Sequence, residues 1–139
     1  MGVPVESYPG ERRVALTPQN AQLLLKKGFK QVLVEAGAGF ESSFLDENYK
    51  AAGATIVTRD TLFAQSDILL KVRAPIQSGG PVHDGKEIEL IRDKSTLISF
   101  VWPAQNPQLV EQMKQKQLTT FAMDSIPRIS RAQVFDALR

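Results

Sequence analysis

Residues 68–72 (ILLKV) and 96–101 (TLISFV) decide the fold class of this chain of 139 residues. Both runs are almost continuously apolar, which is typical of parallel strands that are covered on both faces. Amphipathic stretches separate these and further short apolar runs, so strands and helices alternate along the sequence. This alternation predicts an α/β domain with a flavodoxin-like, doubly wound, mostly parallel sheet of five to six strands and flanking helices.

Short apolar runs and capping residues place the other elements. Strands are also predicted at residues 1–5, 31–35, 55–57 and 119–123. Helix starts are predicted at Thr17-Pro18, Asp46, Thr58, Asn106-Pro107 and Ser130, because these residue types cap helices or fit their first turn. Residues 76–85 (IQSGGPVHDG) are predicted to form a surface loop. One core commonly serves ~100–200 residues, so residues 1–139 are predicted to form a single domain.

Composition excludes several classes of protein. The chain has 17 Lys and Arg against 15 Asp and Glu, and 42% of its residues are hydrophobic, which excludes a disordered chain. It has no cysteine and a single histidine, His83, so disulfides are excluded and no metal site is expected. No apolar run approaches the ~18 residues that cross a bilayer. Basic residues are not interleaved with aromatics, so no nucleic-acid partner is expected.

Gly37-Ala38-Gly39 follows a predicted strand and imitates the start of a phosphate-binding turn. Such a turn needs a strong helix directly after it, because the helix N-terminus faces the pyrophosphate. Residues 42–45 interrupt any such helix, and Thr58 follows the next strand where a ribose-binding carboxylate is needed. A plain turn between two elements is therefore the preferred interpretation.

Two pairs of cationic side chains have two interpretations each. Arg12 and Arg13 lie in the loop before the first helix, where they either hold a carboxylate or phosphate or are solvated. Lys71 and Arg73 share one face at the end of a predicted strand, where doubly wound sheets bind ligands. They either contact a ligand or pair with nearby carboxylates, and the sequence leaves these alternatives open.

The densest polar stretch beside a strand is residues 124–133 (DSIPRISRAQ). Arg128, Ser130 and Gln133 offer donors around a predicted helix N-terminus, which also supplies free amides. Asp136 lies one turn beyond Gln133 on the same helix face. One interpretation is that these donors and acceptors bind the carboxamide of a neutral ring. The other, which the sequence favours equally, is that the stretch is an ordinary capped helix start.

Several short motifs carry a resemblance to known proteins. They are residues 2–4 (GVP), 13–18 (RVALTP), 34–39 (VEAGAG), 51–54 (AAGA), 70–72 (LKV), 103–107 (PAQNP) and 122–133 (AMDSIPRISRAQ). Together they resemble the N-terminal domain that alanine dehydrogenases share with proton-translocating NAD(P) transhydrogenases. The last two motifs resemble the transhydrogenase branch specifically, and the resemblance covers essentially the whole chain.

The resemblance implies a parent enzyme that transfers hydride between NAD(H) and NADP(H), coupled to proton movement through a membrane component. This domain would form the nicotinamide-side wall of the NAD(H) site, beside a Rossmann domain expected after Arg139. NADP(H) would lie on a partner domain, and the protein would be a homodimer. The isolated chain is expected to be inactive and to supply no catalytic residue. The implied cofactor-binding residues are Arg128, Ile129, Ser130, Gln133 and Asp136.

Two alternative functions are weighed against this one. Arg73 and Trp102 stand where alanine dehydrogenases have a substrate lysine and a catalytic histidine, so amino-acid deamination is the weaker alternative. The other alternative is a non-catalytic module of a larger assembly. Residues 71–75 and the loop after them resemble mitochondrial members, which predicts the matrix side of the mitochondrial inner membrane. The alternative location is the cytoplasmic side of a bacterial inner membrane.

Overall fold

Strands and helices alternate along the chain, as the sequence predicts. A computed structural model describes residues 1–76 and 87–127. The strands are β1 (Gly2–Val3), β2 (Leu33–Glu35), β3 (Thr55–Val57), β4 (Ile68–Leu70), β5 (Thr96–Ser99) and β6 (Thr119–Ala122). The helices are α1 (Pro18–Lys26), α2 (Asp46–Ala51), α3 (Arg59–Gln65), α4 (Glu87–Leu90) and α5 (Pro107–Gln115). Helix α4 was not predicted.

The strands of the described residues form one parallel sheet in the order β3-β2-β1-β4-β5-β6. The α/β class and the parallel sheet are therefore confirmed. The order itself is not flavodoxin-like, because β1 lies beside β4, whereas the flavodoxin-like order would place it beside β3. Strand–helix alternation is the same in both orders, so the sequence pattern does not distinguish them. Tertiary packing decides whether β3 or β4 lies beside β1.

The two faces of the sheet carry separate cores. On one face, helices α1 and α2 pack on the first three strands through Ala21, Tyr49 and Val34. On the other face, helices α3, α4 and α5 pack on the sheet, with Leu97 and Leu109 at the centre of that core. The strands β1 to β3 are added toward one side of the sheet and β4 to β6 toward the other. Right-handed crossovers therefore place helices on both faces.

Strands β4 and β5 are less completely buried than their apolar sequences predicted. Leu69 and Leu97 are fully buried under helices α3 to α5. Leu70 and Ile98 point to the opposite face and are only half-buried. The reason is that α1 and α2 lie over β1 to β3, so within the described residues no helix covers this part of the opposite face.

Of the four predicted helix starts among the described residues, Thr17 and Thr58 have the predicted side-chain cap, whereas Asp46 and Asn106 do not. Thr17 accepts a hydrogen bond from the Asn20 amide at 3.2 Å. Asp46 does not cap α2, because its carboxylate accepts from the Gly37 amide at 2.9 Å. Instead Leu45 occupies the capping position, and its amide donates to Oδ1 of Asn48 at 2.8 Å. Asp46 therefore ties the loop after β2 to the helix that follows.

Candidate functional site

The carboxyl ends of all six described strands meet at one edge of the sheet, because the strands are parallel. Ligands of doubly wound sheets bind in the crevice at this edge where the strand order reverses. Here the reversal lies between β1 and β4. The loop after β1 and the residues directly after β4 therefore form the centre of the candidate site.

A buried network of ion pairs fills this crevice. Lys71 Nζ lies 3.0 Å from Oε2 of Glu6 and 3.2 Å from Oε2 of Glu87. The same Glu87 oxygen lies 3.2 Å from Arg59 Nη2, and Arg59 Nη1 lies 3.0 Å from Oε1 of Glu35. Buried charges are tolerated only when they are paired and hydrogen-bonded, so this network is a structural part of the crevice.

The carboxylates of the network also bind the backbone that follows β4. Glu6 accepts from the amides of Val72 at 2.6 Å and of Arg73 at 3.2 Å. Glu87 accepts from the Ile76 amide at 3.1 Å. These bonds fix the path of the chain as it leaves the sheet. Lys71 therefore pairs with carboxylates, the second of the two alternatives that its sequence position left open.

Glu11 engages two of the remaining cations at the edge. Its carboxylate accepts from Nε and Nη2 of Arg13, both at 2.8 Å, and from Nε of Arg73 at 2.8 Å. The Arg73 guanidinium also lies over the Tyr8 ring, 4.7 Å from its centroid. The hydrogen bond from Arg13, together with that from Arg73, lowers the pKa of Glu11 to about 2. Among the described residues, both arginines thus have a resident carboxylate as partner.

The turn after β2 does not form a phosphate cradle. Backbone amides that donate within the turn are those of Gly37, Ala38, Phe40, Ser42, Ser43 and Phe44. A phosphate site needs several free amides directed at the ligand, so this turn lacks the required donors. A Cβ on Gly39 would lie 2.7 Å from the Phe44 carbonyl oxygen, so glycine serves close packing here. The interpretation as a plain turn agrees with these contacts.

The start of α1 is also unsuited to pyrophosphate. Pro18 has no amide hydrogen, and the Asn20 amide already donates to Thr17. In dinucleotide-binding domains the corresponding helix begins directly after the first strand and points its free amides at the phosphates. Here fourteen residues, 4–17, separate β1 from α1. The described edge therefore has neither of the two elements that hold a dinucleotide phosphate.

An open groove of about 450 Å³ lies beside the ion pairs, above β4 and β5. Its polar side is formed by Arg13, Thr17, Ser42 and Lys71, and its apolar side includes Leu70, Ile98, Phe100 and Met123. A second, more apolar groove of about 640 Å³ shares Ile98 and Met123 and extends to Pro127. A planar, weakly polar group fits such a lining better than a phosphate does.

Trp102, three residues after the end of β5, has an unusual backbone conformation. Its φ of 52° lies in the left-handed region, which costs a bulky residue about 1–2 kcal/mol. Asp124 accepts from the amides of Val101 at 2.7 Å and Trp102 at 3.0 Å. Asn106 donates from Nδ2 to the carbonyls of the same two residues, at 2.9 and 3.2 Å. Four side-chain hydrogen bonds therefore stabilise this turn.

The predicted cofactor-binding residues lie outside the described residues: Arg128, Ile129, Ser130, Gln133 and Asp136. Their roles stay predictions. The last residue before this segment is Pro127, which lies five residues after the end of β6 and lines the second groove.

Sequence reasoning missed the carboxylates of the buried network, and it gave Asp124 no role although this residue begins the polar stretch 124–133. One signal was available, since Glu6, Glu35 and Asp124 all lie at or just after the end of a strand.

Within residues 1–76 and 87–127, no group of three or more acidic or histidine side chains is arranged to hold a metal ion. In the same ranges, no helix has the length and apolar character that crossing a bilayer requires.

The fold and the edge define a doubly wound α/β domain whose described crevice is built from ion pairs. The chain belongs to the family described as alanine dehydrogenase/PNT, N-terminal domain, whose model matches residues 2–139. It is 47% identical over 139 residues to NAD(P) transhydrogenase subunit alpha of Cereibacter sphaeroides, covering 99% of this chain and 25% of that protein.

Two solved structures have the same fold. A transhydrogenase from Sinorhizobium meliloti matches with a TM-score of 0.84 and 37% identity, over 95% of this chain and 37% of that chain. An L-alanine dehydrogenase matches with a TM-score of 0.77 and 28% identity, over 88% of this chain and 32% of that chain. This chain thus spans between 25% and 37% of the length of these relatives.

Proposed function

We propose that this chain is the N-terminal domain of the NAD(H)-binding component of a proton-translocating NAD(P) transhydrogenase. It forms the nicotinamide-side wall of the site from which hydride passes between NAD(H) and NADP(H). The observation that carries the proposal is the edge of the sheet, which offers a groove but no phosphate cradle among the described residues. Such an edge suits one end of a dinucleotide whose phosphates are held elsewhere.

The proposal assigns the other parts of the reaction to neighbouring domains. An adjacent Rossmann domain holds the adenine and phosphates of NAD(H), a further domain holds NADP(H), and a membrane domain conducts protons. The similarity to transhydrogenase alpha subunits over nearly the whole chain supports this division. The proposal includes a homodimer, which light scattering of the purified alpha component would test.

Within this site, Arg128, Gln133 and Asp136 orient the nicotinamide. Ile129 and Ser130 belong to the same segment and contact the cofactor on the same side. A glutamine amide both donates to and accepts from a carboxamide. The arginine donates to the carboxamide oxygen or to a ribose or phosphate oxygen, and the aspartate positions such a donor. Pro127, the residue before this segment in the sequence, lines the second, more apolar groove, which supports the assignment.

Amino-acid deamination is the weaker candidate. Arg73, which stands where alanine dehydrogenases have a substrate lysine, is paired with Glu11, and an indole stands at position 102, where those enzymes have a catalytic histidine. The identity to the alanine dehydrogenase structure, 28%, is also below the 37% identity to the transhydrogenase structure.

A chimaera tests the proposed function. Residues 1–139 replace the matched segment of the Cereibacter sphaeroides alpha subunit, which is then assembled with the remainder of that enzyme. Transfer of deuterium from 4-deuterated NADH to NADP⁺ is followed by mass spectrometry. We expect transfer to be retained. A folded chimaera that binds NADH but transfers no deuterium contradicts the proposal, and activity with L-alanine would favour the alternative.

The location is proposed from residues 71–75 and the loop that follows them, which resemble mitochondrial members. We place the domain on the matrix side of the mitochondrial inner membrane, with the cytoplasmic side of a bacterial inner membrane as the alternative. Fractionation of cells that express the natural protein, followed by protease protection, distinguishes these two locations.

A further inference from the structure

The carboxylate of Asp124 joins the segment that follows β6 to the segment that follows β5. The two strands run side by side up to the pair Ser99 and Ala122. Beyond this pair, Asp124 accepts from the Val101 amide through Oδ1 and from the Trp102 amide through Oδ2. One side chain from the β6 exit therefore fixes two consecutive peptide groups of the β5 exit.

The turn that Asp124 holds is one that a tryptophan rarely adopts. A bulky residue stays in the left-handed region only where its surroundings determine the backbone, and such positions cluster at functional sites. The amides of Val101 and Trp102 are bound by Asp124, and their carbonyls by Asn106. The resulting conformation places the Trp102 indole against the Phe100 ring, with centroids 6.2 Å apart and planes inclined by 18°.

Asp124 thereby links two parts of the proposed site. Phe100, on which Trp102 stacks, lines the groove beside the ion pairs. In the sequence, Asp124 lies four residues before Arg128, the first residue of the segment proposed to contact the nicotinamide. The groove wall at Phe100 and the stretch of chain that leads to that segment are therefore connected through the same carboxylate.

We propose that Asp124 is a positioning residue for hydride transfer, acting through the Trp102 turn without touching the cofactor. The inference rests on the proposed function. Direct hydride transfer depends on near-attack geometry, and a misplacement of about 1 Å can cost on the order of 100-fold in rate. A loosened edge should therefore slow transfer more than it weakens NADH binding, because the phosphates are held on another domain.

The test is Asp124→Asn in the chimaeric enzyme, measured by single-turnover transfer, NADH affinity and melting temperature. The amide keeps one acceptor but directs an N–H group at a backbone N–H. We expect transfer to fall about tenfold or more, with the NADH dissociation constant within about threefold of the parent. Asp67→Asn is the matched control, because Asp67 is exposed at the opposite edge of the sheet, before β4.

Asn106→Ala removes the two hydrogen bonds to the Val101 and Trp102 carbonyls and should also lower the transfer rate, so it serves as the test where Asp124→Asn does not fold. A folded Asp124→Asn or Asn106→Ala variant with the parent's transfer rate overturns this inference but leaves the proposed function standing. So does a lower melting temperature with an unchanged transfer rate per bound NADH. An inactive parent chimaera that binds NADH overturns the proposed function and this inference with it.

Discussion

Lys71 Nζ lies 3.0 Å from Oε2 of Glu6, and both side chains are almost fully buried where the strand order reverses. The two residues are 65 positions apart in the sequence. Their contact joins the exit of β1 to the exit of β4. A second carboxylate, Glu87, completes the surroundings of the ammonium group at 3.2 Å. The crevice that binds ligands in many doubly wound proteins is thus closed here by the protein's own charges.

Lys71→Met should be strongly destabilising. The substitution leaves Glu6 and Glu87 buried without their cation, and removal of one partner from a buried pair costs about 3–5 kcal/mol. Lys116→Met is the matched control, because Lys116 pairs with the exposed Asp93, and such a pair contributes about 0–1 kcal/mol. Urea unfolding measures both changes. Equal losses in the two variants would show that the buried pair is not special.

Glu11→Gln should change stability in a pH-dependent way. The folded-state pKa of Glu11 lies at about 2, below its ordinary value of 4.5, so the charged form stabilises the fold above pH 4.5. Half of the Arg13 side chain is exposed to solvent, so we expect the contribution to be about 1–2 kcal/mol. This stability should be lost as the pH falls from 4.5 to 2. Unfolding curves across that range test it, and a gap between parent and variant that is independent of pH contradicts it.

The isolated chain should bind NAD(H) weakly or not at all. Six amides of the turn after β2 already donate within the protein, and at the α1 start Pro18 has no amide hydrogen and the Asn20 amide donates to Thr17. Phosphates need several free amides. Calorimetry at millimolar cofactor is the measurement, with the chimaeric alpha subunit as the positive control. A dissociation constant in the low micromolar range would show that the turn at residues 37–42 binds phosphate after all.

Gln133→Ala should slow hydride transfer in the chimaeric enzyme. Loss of a hydrogen bond whose partner stays unpaired costs about 1–3 kcal/mol, which corresponds to roughly a 5- to 150-fold slower step. NADH affinity should change little, because the rest of the cofactor is held by the neighbouring domain. Gln108→Ala, on the exposed surface of α5, is the control. Unchanged single-turnover rates would reduce the segment to an ordinary helix cap.

The sequence alone determined much of the local structure, although it did not predict α4 or the cap of α2. Capping residues such as Thr17 and Thr58 begin helices in the structure as predicted, since a cap acts on amides only two or three residues away. The interpretation of the turn at Gly37 agrees with the contacts within it, because the interruption of the following helix is visible in the sequence. The alternation of apolar runs with amphipathic stretches predicted the α/β class for a similar reason, because each run and each stretch is a local pattern of residues that are close in the sequence.

Tertiary structure alone decided the strand order and the partners of the charged residues. Strand–helix alternation is compatible with more than one order, and only packing of the crossover helix placed β4 beside β1. The cations Lys71 and Arg73 looked equally fit for a ligand or for a carboxylate. Their partners Glu6 and Glu11 lie more than 60 residues away, and an ion pair depends on distance in space, which sequence separation does not give.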